Sequence, residues 1–171
     1  MIKRILSLLI GTTLLCPLAT AAEVSELSGP RIGITGLTPG STSNTIGSNF
    51  ISQYGWQLET KFSNGEGING LIEWVILAGG MEQGYFLPSI SSLVGLRHAS
   101  GFEFAVGPNL SLSGIGFVTA AGYNFKSGAF NFPVNISWVP SNDTTWFFES
   151  SNEQSGHRIS ITFGFNMDNR R

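Results

Sequence analysis

Between residues 54 and 62 the chain alternates with a period of two: Tyr54, Trp56, Leu58, Thr60 and Phe62 on one face, Gly55, Gln57, Glu59 and Lys61 on the other. On a helix such a pattern would scatter apolar groups around the whole circumference, whereas on a strand it gives one apolar and one polar face. The pattern recurs. Phe102, Phe104 and Val106 alternate with Glu103, Ala105 and Gly107. The apolar face of residues 130–138 is unbroken, and Ile159, Ile161, Phe163 and Phe165 alternate with Arg158, Ser160, Thr162, Gly164 and Asn166. Weaker runs lie at 31–37 (Ile32 and Ile34 out of phase with Arg31, Gly33 and Thr35), at 68–77 (Ile72, Trp74 and Ile76 against Asn69 and Glu73), at 87–97 and at 115–125. The reading is an all-β chain of about eight strands, each roughly 9–11 residues long, the length a tilted strand needs to cross a bilayer.

Charge content then separates two ways of using those strands. Only 12% of the residues are charged, about half the usual share for a soluble domain. No segment beyond the N-terminus is long and apolar enough for a transmembrane helix. A chain short of surface charge and lacking such a helix has one other way to span a membrane, a closed barrel, because in lipid every backbone hydrogen bond must be met within the protein. The fold expected is a closed antiparallel up-and-down transmembrane β-barrel.

The N-terminus points to export. Lys3 and Arg4 precede an apolar run from Ile5 to Cys16, and Ala19, Ala21 and Ala22 supply a small-residue cleavage site, the layout of a Sec-type signal peptide over residues 1–22. Leu15 before Cys16 does not suit lipoprotein processing, so the single cysteine leaves with the leader and residues 23–171 form one domain without a disulfide. Loss of Lys3 and Arg4 leaves seven basic against 11 acidic residues, a net charge of −4, which argues against nucleic acid as a partner.

The connections sort by length. Residues 63–67, 98–101 and 126–128 are brief and contain glycine, while 38–49, 78–85 and 141–155 are longer and 110–114 is intermediate. Outer-membrane barrels alternate in this way, with termini and short turns in the periplasm and longer loops outside. Two of the longest links, 38–49 and 141–155, are rich in Ser, Thr and Asn, as solvent-exposed caps can be. The second holds Trp146, Phe147 and Phe148, candidate contacts for an extracellular ligand unless they continue the neighbouring strands.

Strand parity puts Arg31, Glu59, Lys61, Glu73, Arg97, Glu103 and Arg158 on the small, polar face, which is expected to line the lumen. Trp56, Trp74, Trp138, Tyr54 and Tyr123 fall on the apolar face as members of interfacial aromatic girdles. An eight-stranded barrel has an interior just wide enough for side chains, so the seven charges are expected to form a paired plug in place of a hydrophobic core. A proton path or gated pore is the rival reading of the same residues.

On strand count, loop asymmetry and a terminal aromatic strand, the chain resembles the small outer-membrane barrels of the OmpA-transmembrane-domain and OmpX type. That resemblance implies a monomer in the outer membrane of a diderm bacterium, in contact with lipid and lipopolysaccharide and inserted by the barrel-assembly machinery. Residues 101–114 (GFEFAVGPNLSLSG) and 132–138 (FPVNISW) are also similar to parts of a group of envelope proteins, a likeness that implies no activity. After Phe163 and Phe165 the chain runs on as Asn166-Met167-Asp168-Asn169-Arg170-Arg171, a departure from a final strand that ends on an aromatic.

Some small barrels act on lipid A, and the deacylase type uses a His-x-Ser element in which the hydroxyl is the nucleophile and the imidazole its base. His98-Ala99-Ser100 has that spacing, with Glu103 nearby, but it lies in a short turn expected on the periplasmic side, away from outer-leaflet lipid A. His157 stands near Glu149 and Glu153 in a loop context. No phosphate-binding glycine motif and no Cys/His cluster is present, and Gly79-Gly80 reads as a turn. The expectation is a non-enzymatic protein without a cofactor, structural or surface-interactive. A small pore, a lipid A-modifying enzyme and a soluble periplasmic lipocalin-like binder are the alternatives.

Overall fold

A computed structural model describes residues 27–64, 67–141 and 154–167. The leader, Glu23 and the aromatics Trp146, Phe147 and Phe148 lie outside the described residues. Eight long strands follow one another: β1 (Gly29–Leu37), β2 (Phe50–Asn64), β3 (Ile68–Gly79), β4 (Leu87–His98), β5 (Phe102–Ser111), β6 (Gly114–Ser127), β7 (Phe130–Val139) and β8 (Arg158–Gly164). Each pairs antiparallel with the next, and β8 returns to β1 in a register running from Arg31↔Gly164 to Leu37↔Arg158. The sheet is a closed eight-stranded antiparallel barrel. After a break at Phe165, a two-residue β9 (Asn166–Met167) rejoins β7 through Phe130↔Met167.

Closure gives every strand an inner and an outer face, and the chain puts its large apolar groups outside. Ile34, Leu58, Ile76, Val94, Phe104, Phe117, Ile136 and Ile161, one from each strand in order, are all exposed. Arg31, Thr35, Gln57, Glu59, Glu73, Arg97, Glu103 and Asn109 are buried. No helix among the described residues is long and apolar enough to cross a membrane, which says nothing of strands.

The interior also holds apolar groups that strand parity alone did not single out. Leu93, Ala105, Val118 and Val139 form a cluster on the β4–β7 side, with Val75 and Ala120 against it. The lumen is therefore layered. Charges gather toward the end that carries the chain termini, an apolar cluster packs within, and hydroxyls and amides fill the opposite end.

That opposite end is closed differently from the sequence-based expectation. Residues 38–49 are not simply a solvent-exposed cap: they contain a helix, α1 (Ser41–Ile46), in which Ser41, Thr42, Ser43 and Ile46 are buried. Ile46 packs with Leu37, Ile51 and Leu87, and the Thr42 hydroxyl lies 3.0 Å from that of Ser113 in the β5–β6 turn. Short hydroxyl side chains suit this place because they fit a polar mouth and satisfy local backbone groups. Ser43 Oγ accepts the Gly40 N–H at 3.0 Å, and Thr45 Oγ1 donates to the Ser41 carbonyl at 2.7 Å. Gly47, at φ 70°, ends the helix in the left-handed conformation that glycine adopts most readily.

The links after β3 and β5 are shorter than expected, whereas the one from β7 to β8 spans residues 140–157 in place of the expected 141–155. β3 runs to Gly79, and a 3-10 turn (Met81–Gln83) follows. There Ser52 donates both its hydroxyl and its backbone N–H to the exposed Glu82 carboxylate, holding that carboxyl below its ordinary range. β5 continues to Ser111, through Pro108. Pro108 has no N–H to give, and the β4–β5 register skips from Ser91↔Asn109 to Val94↔Val106, so the proline sits where the ladder is already interrupted.

A narrow barrel presses neighbouring backbones together at inward glycines. A Cβ at Gly55 would stand 1.9 Å from the Ile76 carbonyl oxygen, and one at Gly107 would stand 2.0 Å from that of Ser92. Gly55→Ala should therefore cost roughly 1–3 kcal/mol through overpacking. Gly36→Ala, whose nearest neighbour would be 3.6 Å away, should stay within about 0.5 kcal/mol of the parent. Urea unfolding midpoints of the refolded barrel in detergent check both, and equal midpoints for the two variants would show that the close approach does not matter.

Candidate functional site

The inward charges near the terminal end converge on Arg97. Register explains why. Arg97 on β4 is directly opposite Glu103 on β5, while Glu59 on β2 is directly opposite Glu73 on β3. Two carboxylates facing each other across a strand pair repel, and the Arg97 guanidinium enters between them and Glu103. Its Nε donates to Glu103 Oε2 at 2.7 Å and its Nη1 to Glu59 Oε1 at 2.5 Å. Nη2 bridges Glu59 and Glu103, and Glu73 Oε1 lies 3.6 Å from it. The three ion pairs found among the described residues all belong to Arg97.

Arg31 joins this cluster through an amide. Its Nε donates to Gln57 Oε1 at 3.0 Å, and Gln57 Nε2 donates to Glu73 Oε1 at 2.9 Å. The rest of its guanidinium is held by backbone carbonyls of Pro30 and Leu27, both at 2.9 Å, and by Asn166 Oδ1 at 3.2 Å. Gly164, opposite Arg31 in the β1–β8 register, leaves the room: a Cβ there would fall 2.3 Å from Arg31 Nη1. Lys61 lies two residues beyond Glu59 on the same face of β2 and is half-buried. With Arg31, Lys61 and Arg97 against Glu59, Glu73 and Glu103, the inward charges of this region number three of each sign.

Arg158 is apart from them. It starts β8 at the capped end, reaches across the lumen, and donates from Nη1 to Ser111 Oγ and from Nη2 to Asn109 Oδ1, each at 2.9 Å. Asn109 in turn donates to Ser91 Oγ at 2.9 Å. On the neighbouring wall Thr35 Oγ1 lies 2.6 Å from Gln53 Oε1 and 2.7 Å from Ser160 Oγ. Thus the seven inward charges divide into a group of six and a single arginine at the opposite end.

The arrangement has limited chemical reach. Oxygens of Glu59, Glu73 and Glu103 all lie within 4.8 Å of one another, a spacing that a metal ion could use. The Arg97 guanidinium already occupies the space between them, so the protein's own cation stands where a metal ion would. His98 and Ser100 are in contact, Nδ1 to Oγ at 2.8 Å, but Nδ1 also accepts the Ser100 backbone N–H at 3.2 Å, which is a turn-closing bond. Glu103, the acid next to them in sequence, points into the lumen at Arg97. His157 accepts the Ser141 N–H at Nδ1 (3.1 Å) and stacks on Trp138, so it braces the base of the loop between β7 and β8. Glu149 and Glu153 lie outside the described residues.

Sequence reasoning followed charge and missed the neutral connectors Gln57, Asn109, Ser111 and Asn166. The signal was present for all four: Gln57 shares strand parity with Glu59, Asn109 and Ser111 with Glu103, and Asn166 with Arg158, and the parity of Asn166 holds across the break at Phe165. No protein-family model matches the chain, and no curated protein matches it. The fold is therefore carried by the strand pairing alone: an all-β, closed, eight-stranded antiparallel barrel.

Removing one partner of a buried ion pair leaves the other uncompensated, a loss of about 3–5 kcal/mol. Arg97→Met should show a loss of that size in urea unfolding. Adding Glu59→Gln and Glu103→Gln to it should restore most of the stability, because the two carboxylates that Arg97 contacts most closely are then neutral and Glu73 alone remains. If the triple variant is no more stable than Arg97→Met, the interaction is not the one described.

Proposed function

We propose that the chain is an outer-membrane protein of a diderm bacterium, exported behind a leader at residues 1–22, whose barrel spans the membrane as a rigid structural or surface-display element. The observation that supports this most is the inverted distribution of side chains. A soluble barrel of lipocalin type buries its apolar face and wets its polar one. Here each strand turns Ile, Leu, Val, Phe or Trp outward and polar or charged groups inward. Soluble monomers rarely expose contiguous apolar patches beyond a few hundred Å², whereas a band of this kind around a closed sheet suits hydrocarbon.

In this reading the chain termini and the turns at 99–101 and 128–129 face the periplasm, and α1, the 3-10 turn and the β7–β8 loop face outward. Trp56, Trp74, Trp138, Tyr54 and Tyr123, all exposed on the outer wall, belong to its lipid contact. Likeness to the OmpA-transmembrane-domain and OmpX barrels fits the same picture, as do lipopolysaccharide and the barrel-assembly machinery as partners. The protein acts as a monomer without a cofactor, and Trp146, Phe147 and Phe148 are the residues of its outer loops most suited to an extracellular ligand.

Two observations favour a plug over a pore or an enzyme. Arg97 and its three carboxylates fill the lumen near the terminal end, and α1 lies across the other mouth. The His98–Ser100 pair lacks an acid partner among the described residues.

Cell fractionation with heat-modifiable gel mobility tests location and barrel together. The protein should sediment with outer membranes and run faster unheated than boiled; recovery in the soluble periplasmic fraction would overturn the reading. A charge on the outer wall gives a sharper test. Val94→Arg, near the middle of β4, should cost roughly 2–4 kcal/mol when the barrel is folded in lipid vesicles, and an unchanged stability would mean that Val94 faces water.

A further inference from the structure

Arg158 is the inward cation that stands at the opposite end of the lumen from the carboxylates. The other six balance, and no carboxylate among the described residues lies within 4.0 Å of its guanidinium. Two of its five N–H groups are used, on Ser111 and Asn109, both neutral. A guanidinium drawn into a low-dielectric interior with dipoles alone for partners carries a desolvation cost that a counter-anion would remove. Its planar fork is shaped to hold an oxyanion through two parallel hydrogen bonds.

The guanidinium does not face a packed wall. It lines a small chamber beneath α1, about 30 Å³ in volume and open to solvent, whose walls also carry Leu37, Ile51, Leu87 and Leu112. Hydroxyls and an amide complete the polar lining: Thr42 from α1, Gln53 from β2, and Ser111 and Ser113 from the end of β5 and its turn. Thr42 and Ser113 share one hydrogen bond at 3.0 Å, which uses the proton of one hydroxyl and leaves that of the other outside the pair.

We propose that this chamber is a binding site for a small oxyanion of the phosphate class, held by the Arg158 guanidinium and by the Thr42–Ser113 hydroxyl pair, with Ser111, which accepts from Arg158 and donates to the Gly114 carbonyl at 3.4 Å, positioning the guanidinium. The site lies inside the outer mouth and does not depend on whether lipid or water covers the outer wall, so its test stands apart from that of the membrane reading.

The probe is inorganic phosphate, titrated calorimetrically into the purified full barrel in a zwitterionic detergent, with sodium chloride of matched ionic strength as the blank. One saturable phosphate site per barrel is expected. Arg158→Gln should weaken it about tenfold or more, since a hydrogen bond to a charged group is worth roughly 1.5–3 kcal/mol. Ser111→Ala keeps the charge and should weaken it severalfold, so the test holds even if Arg158→Gln fails to fold. Phosphate heats indistinguishable from the chloride blank, or binding unaltered in the folded variants, would overturn the proposal. So would binding that emerges only after Asp143, Glu149 and Glu153 are changed to amides, for then a carboxylate of the chain's own loop is the occupant.

Discussion

Closure of β1 onto β8 is the constraint from which the rest of this structure follows. Once eight strands close, every second side chain is forced into a space barely wider than the side chains themselves, and no sheet edge remains to be covered. The sequence answers by sending its bulk outward and its short or polar residues inward. Glycines at 55 and 107 let backbones approach where even a methyl group would collide. Gly164 makes space for a guanidinium in the same way. Steric demand and charge placement are thus solved by the same strand parity.

An interior filled with polar groups cannot rely on a hydrophobic core, so its cohesion comes from satisfied hydrogen bonds. Arg97 ties β2, β3 and β5 to its own strand β4, and Arg31 ties the chain just before β1 to β2 and β9. Gln57 links the two guanidinium centres through Glu73. Such a network is stable as a whole and costly when broken, because each lost partner strands a buried charge. The apolar cluster around Leu93 and Val118 adds packing between the charged end and the hydroxyl-lined end. The separation of six inward charges, three of each sign, from Arg158 is the feature that distinguishes the two ends of the lumen chemically.

Much of this was legible before any coordinates. Alternation fixed the parity of each strand, because a one-residue slip would have turned Trp56, Trp74 and Phe104 inward and Glu59, Glu73 and Glu103 outward. Short Gly-containing turns marked the terminal end. What parity could not supply was pairing: that Arg97 rather than Arg31 would take all three carboxylates depends on strand stagger, which only the register reveals. Helix α1 was hidden for a different reason. Its six residues, Ser-Thr-Ser-Asn-Thr-Ile, have poor helix propensity and no amphipathic repeat, and the helix is held by Ile46 and by hydroxyl contacts with other parts of the chain. β5 also runs through Pro108, at a point where the β4–β5 ladder is interrupted.

The central claim is that the apolar outer wall is the face that meets lipid. Tryptophan fluorescence reads this directly, since Trp56, Trp74 and Trp138 all stand on that wall. With Trp146 replaced by Phe and the barrel folded into vesicles of bromine-labelled phosphatidylcholine, emission should be strongly quenched by the lipid bromines and little affected by aqueous iodide. Emission quenched by iodide and untouched by the labelled lipid would contradict the account.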